Sequence, residues 1–189
     1  MTVPQLAVLL AACACFASYA WGLARFFRRA AADSSNYRLI TWATAASVIA
    51  QASTILLFYR HGSLRFAGAM ALYAVALGMF WWCIRVNRAR PLSLAFSTDA
   101  PDHLVVAGPY AAVRHPFYVS YLLCWVAGVV ATRCLPLLAT VALMAWVYHR
   151  AALQEEAKFA ASPLAEAYAR YAATTGRYLP RIAPRRGRR

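Results

Sequence analysis

Residues 1–24, MTVPQLAVLLAACACFASYAWGLA, carry no charged side chain, and the chain continues Arg25, Phe26, Phe27, Arg28, Arg29. A bilayer core of about 30 Å is crossed by roughly 20 helical residues, so this run is long enough to span. A cleaved leader would begin with a basic segment. Here the basic residues follow the apolar run, as in a stop-transfer flank. Working outward, uncharged runs recur at residues 39–59, 66–84, 117–132 and 134–148. The first two of these also meet the spanning length. The last two are short, and Arg133 and Pro136 mark a turn between them. They read as a helical hairpin whose ends are extended by the snorkelling side chains of Arg133 and Arg150. The expectation is an all-α integral membrane protein of about five transmembrane helices, the last two a short hairpin, with cytoplasmic C-terminal helices. Residues 1–84 form a three-helix membrane region, 85–181 a second functional region and 182–189 a basic tail.

Composition agrees. Of 189 residues, 62% are hydrophobic and 14% are charged, and the mean hydropathy is +0.49. Soluble domains carry about a quarter charged residues. A disordered chain, a secreted disulfide scaffold and an ordinary soluble enzyme are excluded. Twenty basic residues face six acidic ones, a formal charge of +14. In a soluble protein that excess would point to nucleic acid. Here the cations sit between apolar runs and at the C-terminus, with no basic patch interleaved with exposed aromatics, so nucleic acid is not expected as a partner. The five cysteines (Cys13, Cys15, Cys83, Cys124, Cys134) all lie in apolar runs and read as small buried thiols. No metal-ligand spacing is present, so no metal is expected.

Orientation follows from the arginines. With five spans, the first loop, the third loop and the tail share one side, which collects 17 basic residues, against Arg60, Arg65 and Arg133 on the other. The N-terminus is expected outside and the C-terminus in the cytoplasm. In the tail, a helix is expected over residues 151–161. A second should start with Ser162 as N-cap and Pro163 at its first position, carry Leu164, Tyr168 and Tyr171 on one stripe, and stop at Gly176.

The residues able to do chemistry cluster where the third loop re-enters the membrane: Gly108-Pro109-Tyr110-Ala111-Ala112-Val113-Arg114-His115-Pro116-Phe117-Tyr118. Gly108 permits close backbone approach or positive φ, and the prolines stiffen the chain. Arg114 offers a fork matched to a carboxylate, His115 a titratable imidazole, and the tyrosines an aromatic face with a hydroxyl. Interfacial anchoring would use several of the same residue types. A second cluster, Glu155-Glu156, lies one turn past the last apolar run. It suits a cationic or hydroxyl-rich ligand, or pairing with Arg150 or Lys158 on the same helix. The isolated polar residues read more simply. His61 is a solvated turn residue, His149 an interfacial one, Gln51 an interhelical hydrogen-bonder and Trp81-Trp82 an aromatic belt.

Gly-Pro-Tyr, then Arg114-His115-Pro116-Phe117-Tyr118 before a hydrophobic hairpin, then Glu155-Glu156 just after it, resembles the isoprenylcysteine carboxyl methyltransferase family and its phospholipid-methyltransferase-like relatives. His103-Leu104-Val105, Tyr168-Ala-Arg-Tyr171 and Arg177-Tyr178-Leu179-Pro180 fit the same pattern, so the likeness covers roughly residues 81–181. Relatives commonly have Gly two residues after the tyrosine. This chain has Ser120, which puts close helix packing there in question. The resemblance implies an S-adenosylmethionine-dependent methyltransferase acting on a lipophilic acceptor at the cytoplasmic membrane interface, most simply by carboxylate O-methylation. It implies catalytic roles for Arg114, His115 and Glu156. The cofactor would be held by His103, Gly108, Pro109, Tyr110, Arg114, His115, Pro116, Tyr118, Glu155 and Glu156. The acceptor would meet Tyr168, Tyr171 and Arg177. Arg114 or His115 suits the cofactor's carboxylate, and Glu155 or Glu156 its ammonium or ribose hydroxyls. Arg114 and Glu156 are then expected as opposite poles of the cofactor site. Membrane lipids are the remaining partners, and the Ala- and Arg-rich composition suggests a bacterial inner membrane. A sterol-reductase-like enzyme using NADPH is a rival, needing more basic partners for a 2′-phosphate. A non-catalytic membrane protein is another.

Overall fold

In hydrocarbon every backbone polar group must be satisfied within its own segment, so the uncharged runs have to be helices. The computed structural model describes residues 1–27, 34–89 and 101–181. It contains α1 (Val3–Phe26), α2 (Ser34–Phe58), α3 (Ser63–Asn87), α4 (Pro116–Thr132), α5 (Leu137–Ala160) and α6 (Ala165–Thr174), with a short 3₁₀ turn at Gly108–Ala111 before α4. Among the described residues there is no strand, only one isolated parallel bridge between Val113 and Gly176. Three helices are long and apolar enough to cross a membrane, and the apolar α4, at 17 residues, is shorter. The chain is an all-helical integral membrane protein. Arg28, Arg29, Arg90 and the basic tail 182–189 lie outside the described residues.

α1 starts at a capping box. The Thr2 hydroxyl accepts from the Gln5 N–H at 3.3 Å, and the Gln5 side chain accepts from the Thr2 N–H at 3.2 Å. The Gln5 amide also donates to the carbonyls of Ile55 and Leu56, tying the start of α1 to the end of α2. α3 and α4 share the largest interface, with α1 and α5 flanking them. The core is aromatic. Tyr19 of α1 lies 4.9 Å from Phe80 of α3 and 4.8 Å from Tyr121 of α4, ring centre to ring centre, both edge-on. Trp21, Trp42, Ile49, Leu57 and Trp146 point outward, as side chains facing lipid should.

Buried polar side chains stitch the spans together. Gln51 donates to the Tyr73 hydroxyl at 3.0 Å and to the Cys124 carbonyl at 3.3 Å, the interhelical role expected of it. Ser120 is fully buried and donates to the Ala76 carbonyl at 2.8 Å. Close packing of α3 on α4 is therefore kept with serine in place of glycine. All five cysteines are free; Cys15, Cys83 and Cys124 are buried, and Cys13 is exposed.

The C-terminal helices differ from expectation in two respects. The last apolar run and the helix placed over residues 151–161 are one continuous α5. Hydropathy changes at Tyr148, but Ala151 through Lys158 are good helix formers, so nothing breaks the helix there. α6 begins at Ala165 with Leu164 as N-cap, two residues later than expected. Ser162 still caps, but inside the preceding turn, where its hydroxyl accepts the Leu164 N–H at 3.1 Å. α6 ends at Thr174, and Gly176 serves the bridge to Val113.

Candidate active site at the membrane interface

The two chemically loaded stretches meet. α5 runs on past the apolar layer and carries Glu155 and Glu156 up against the start of α4. Pro116 occupies the first turn of α4, where its missing N–H costs nothing, and His115 is the N-cap residue. Just upstream, Gly108 adopts φ +60°, and a Cβ there would come within 2.7 Å of Val86 and 3.2 Å of Trp82. Only glycine fits both the conformation and the space. The Pro109 carbonyl accepts from the Ala112 and Val113 N–H groups, closing the turn.

The tail then folds back over this turn. Arg114 N–H donates to the Gly176 carbonyl at 2.8 Å, and His115 N–H to the Arg177 carbonyl at 3.2 Å. A Cβ at Gly176 would sit 1.9 Å from the Leu179 carbonyl oxygen, so the tight return of the chain requires glycine. The Tyr171 hydroxyl donates to the Tyr110 carbonyl at 2.7 Å, and the Tyr178 hydroxyl lies 3.1 Å from His149 Nδ1.

These turns bring three cations onto one carboxylate. Glu156 Oε1 is 3.1 Å from Arg114 Nη2, 3.1 Å from His115 Nε2 and 2.9 Å from Arg177 Nε, while Arg177 Nη2 reaches Oε2 at 2.7 Å. Arg177 thus grips Glu156 as a two-toothed fork. Arg114 and Glu156 are in contact and are not opposite poles. Glu156 neutralises the cations around it and cannot stand across a ligand from one of them. Glu155 is differently placed. It accepts from the Tyr118 hydroxyl and faces His115 Nδ1 at 3.4 Å, and its side chain is 34% exposed against 15% for Glu156.

His115 lies between the two carboxylates, each ring nitrogen aimed at one of them. Carboxylates facing both nitrogens favour the protonated ring. Burial disfavours the charge, but the two glutamates outweigh it and the pKa is raised above the ordinary 6.5. Burial likewise opposes ionisation of Glu156, yet His115, Arg177 and Arg114 bring its pKa down to about 2. The hydrogen bond to Glu156 in turn raises that of Arg177. A stack of rings walls the site. His115 and Tyr118 are parallel at 5.5 Å, and Tyr118 and Tyr148 at 5.4 Å.

Of the other expected site residues, Tyr110 is a buried strut. Its hydroxyl accepts from Asn87 Nδ2 at 3.0 Å, and its pKa is pushed well up by burial. His103 bonds to its neighbour Asp102 at 2.5 Å through Nδ1. Tyr168 stacks on Phe159 at 4.6 Å. Sequence reasoning missed Asn87 and Tyr148, and quoted Tyr178 only within the Arg177-Tyr178-Leu179-Pro180 motif. A lone Asn or Tyr at the end of an apolar run was the available signal for the first two, and it does not separate a site residue from an interfacial one.

Six buried polar side-chain atoms have no partner among the described residues, and three of them belong to expected site residues: Arg114 Nε, His103 Nε2 and the Tyr168 hydroxyl. Buried polar groups are normally paired, so such atoms fit a ligand bearing carboxylate and hydroxyl groups. No group of three or more His, Cys, Asp or Glu side chains among the described residues is placed to hold a metal.

Comparison with known proteins bears on the same region. A family model for phospholipid methyltransferase matches residues 64–168, from the first turn of α3 through the glycine turn, α4 and the glutamate pair into α6. The cobalt-zinc-cadmium resistance protein CzcN of Cupriavidus metallidurans is 37% identical over 120 residues, 64% of this chain and 50% of that protein. The chain therefore spans about half the length of that relative. More than half of the chain matches the family model, and the matched part carries Arg114, His115, Glu155 and Glu156 of the charged cluster: the chain belongs to the phospholipid methyltransferase family of membrane methyltransferases, the family of isoprenylcysteine carboxyl methyltransferase-like enzymes.

Proposed function

We propose that residues 85–181 transfer a methyl group from S-adenosylmethionine to the carboxylate of a lipophilic acceptor at the cytoplasmic face of a bacterial inner membrane, with residues 1–84 as the membrane region. Family membership supports methyl transfer. The observation that carries the choice of acceptor is the clamped imidazole: His115 faces Glu155 with Nδ1 and Glu156 with Nε2. Its raised pKa favours the protonated ring, which is a poor general base. Glu156 accepts from Arg114, Arg177 and His115, and its depressed pKa makes it a poor base as well. An amine, phenol or thiol acceptor would have to lose a proton here. A carboxylate already carries the lone pair that attacks.

The residues present fit the methyl donor. When bound, S-adenosylmethionine supplies a methyl group made electrophilic by its sulfonium. Glu155 is the carboxylate with open capacity and takes the ammonium. Arg114 Nε, His103 Nε2 and the Tyr168 hydroxyl are unfilled, and take carboxylate and ribose oxygens. The Tyr118 and Tyr148 rings present faces suited to a cation. Glu156 is a positioning residue, setting Arg114, His115 and Arg177 in place. With Arg114 and Arg177 both closed on Glu156, the basic pair that a 2′-phosphate needs is already engaged, which disfavours a nicotinamide-using reductase.

The test is stabilisation of the detergent-purified chain by S-adenosylhomocysteine, followed by transfer of labelled methyl from the donor to a lipophilic acid, to its amide and to an amine lipid. Stabilisation with base-labile label on the acid alone is expected. Label on an amine lipid and none on the acid would overturn the acceptor class. Stabilisation by reduced nicotinamide cofactor and not by S-adenosylhomocysteine would overturn the methyltransferase assignment.

A further inference from the structure

The end of the bundle opposite Glu156 holds a second charged feature that methyl transfer does not use. Segments 56–68 and 128–140 contain Arg60, Arg65 and Arg133 and none of the chain's six acidic residues. The α2–α3 and α4–α5 turns bring these arginines together around two adjoining depressions. One, of about 510 Å³, is lined by Gly62, Ser63, Leu64, Arg65, Val130 and Arg133. The other, of about 490 Å³, adds Phe58, Arg60 and Thr132, and Arg65 and Arg133 border both.

One further observation points to an anion. The N-terminus of the 25-residue α3 opens here with Gly62 as N-cap, and no side chain caps its free N–H groups. Arg133 is the left-handed C-cap of α4 at φ 52°, a position where glycine or asparagine is the comfortable choice. The walls include the exposed apolar side chains of Phe58 and Leu64, so the anion is one that brings a hydrocarbon tail with it. α3 alone separates this groove from the active-site end by about 37 Å, too far for an acceptor held here to be methylated there.

We propose that Arg60, Arg65 and Arg133 form a binding site for the phosphodiester headgroup of an anionic phospholipid, distinct from the methyl-transfer site. The three guanidinium forks and the α3 N-terminus hold the phosphate, and the acyl chains lie along Phe58, Leu64 and Val130.

The full chain in neutral detergent is titrated with phosphatidylglycerol, phosphatidylcholine or inorganic phosphate, and the thermal midpoint is read. Phosphatidylglycerol should raise the midpoint well beyond phosphatidylcholine, and inorganic phosphate should leave it unchanged. Arg65→Gln combined with Arg133→Gly should weaken the phosphatidylglycerol effect at least about tenfold in concentration. Glycine suits the positive φ, so this variant is expected to fold without lipid, and its lipid-free midpoint checks that directly. Arg85→Gln, at the other end of α3, should keep the effect. Equal responses to the two lipids, a full response in the double variant, an equal loss in Arg85→Gln, or a response to inorganic phosphate alone would each overturn the proposal.

Discussion

The two ends of the bundle hold their arginines in opposite ways. At the active-site end, Arg114 and Arg177 close on Glu156 with His115, and Glu155 shares the histidine. At the other end, Arg60, Arg65 and Arg133 border an open groove whose turns contain no acid. The first arrangement is a closed network, in which each charge fixes the position of the next. The second leaves its charge available to something outside the chain. Clustered arginines thus mean different things at the two ends, and the position of the acids decides which.

The comparison is broken most severely by Glu156→Gln. Three cations then lose their common partner, and Arg114 and His115 remain largely buried, a change that costs about 3 kcal/mol when a buried pair is broken. Methyl transfer should fall at least about a thousandfold, because Arg114, His115 and Arg177 all lose their register. The thermal midpoint should fall with it. Activity within tenfold of the parent would mean that Glu156 does not organise the site.

Glu155→Gln sharpens the comparison, because the neighbouring carboxylate is the one with open capacity. The Arg114–Glu156–Arg177 cluster stays intact, so the midpoint should change little. The KM for the methyl donor should rise about tenfold, the usual cost of one charge-assisted hydrogen bond. An unchanged KM with a lower midpoint would make Glu155 structural, and Glu156 would again be the candidate for the ammonium.

This division between adjacent glutamates was not legible in the sequence. The apolar runs fixed the helices well, since hydropathy and length leave lipid-spanning backbone no other solution. The meeting of residues 108–118 with Glu155-Glu156 followed from both lying beside the same hairpin. What could not be read was which charges neutralise each other. Arg177 reaches Glu156 only because Gly176 lets the tail turn tightly back along Val113, and neither spacing nor composition announces such a return. Placing Arg114 and Glu156 as opposite poles treated each as a ligand contact and passed over their need for one another. The apolar run stops at Tyr148 while α5 continues, for a related reason: the polarity of the surroundings changes there, the helix does not.

A smaller effect is expected from pH. The folded pKa of His115 is raised, so its contribution is complete below the ordinary 6.5 and is lost as pH rises through the folded value. That of Glu156 is lowered to about 2, so its contribution is complete above the ordinary carboxylate value of 4.5 and is lost as pH falls through about 2. Both are whole between about 4.5 and 6.5, where the clasp should be firmest. The difference in thermal midpoint between the parent and His115→Asn should be greatest in that window and shrink at alkaline pH. A difference independent of pH from 5 to roughly 10 would remove the imidazolium from the account.

The smallest effect belongs to the one departure from the family pattern, Ser120. Its hydroxyl donates to the Ala76 carbonyl at 2.8 Å and lies 3.2 Å from the Tyr19 hydroxyl, which donates to the Ser120 carbonyl at 3.3 Å. Serine joins α1, α3 and α4 at a point where glycine would supply only proximity. Ser120→Gly deletes these contacts and adds a flexible residue to a helix, which together cost about 1–2 kcal/mol. The site lies at the N-terminal end of α4, one turn from His115, so the loss should appear in the thermal midpoint while methyl transfer stays within about twofold. A midpoint raised by glycine would mean that backbone approach between α3 and α4 contributes more here than the three-helix hydrogen-bond junction.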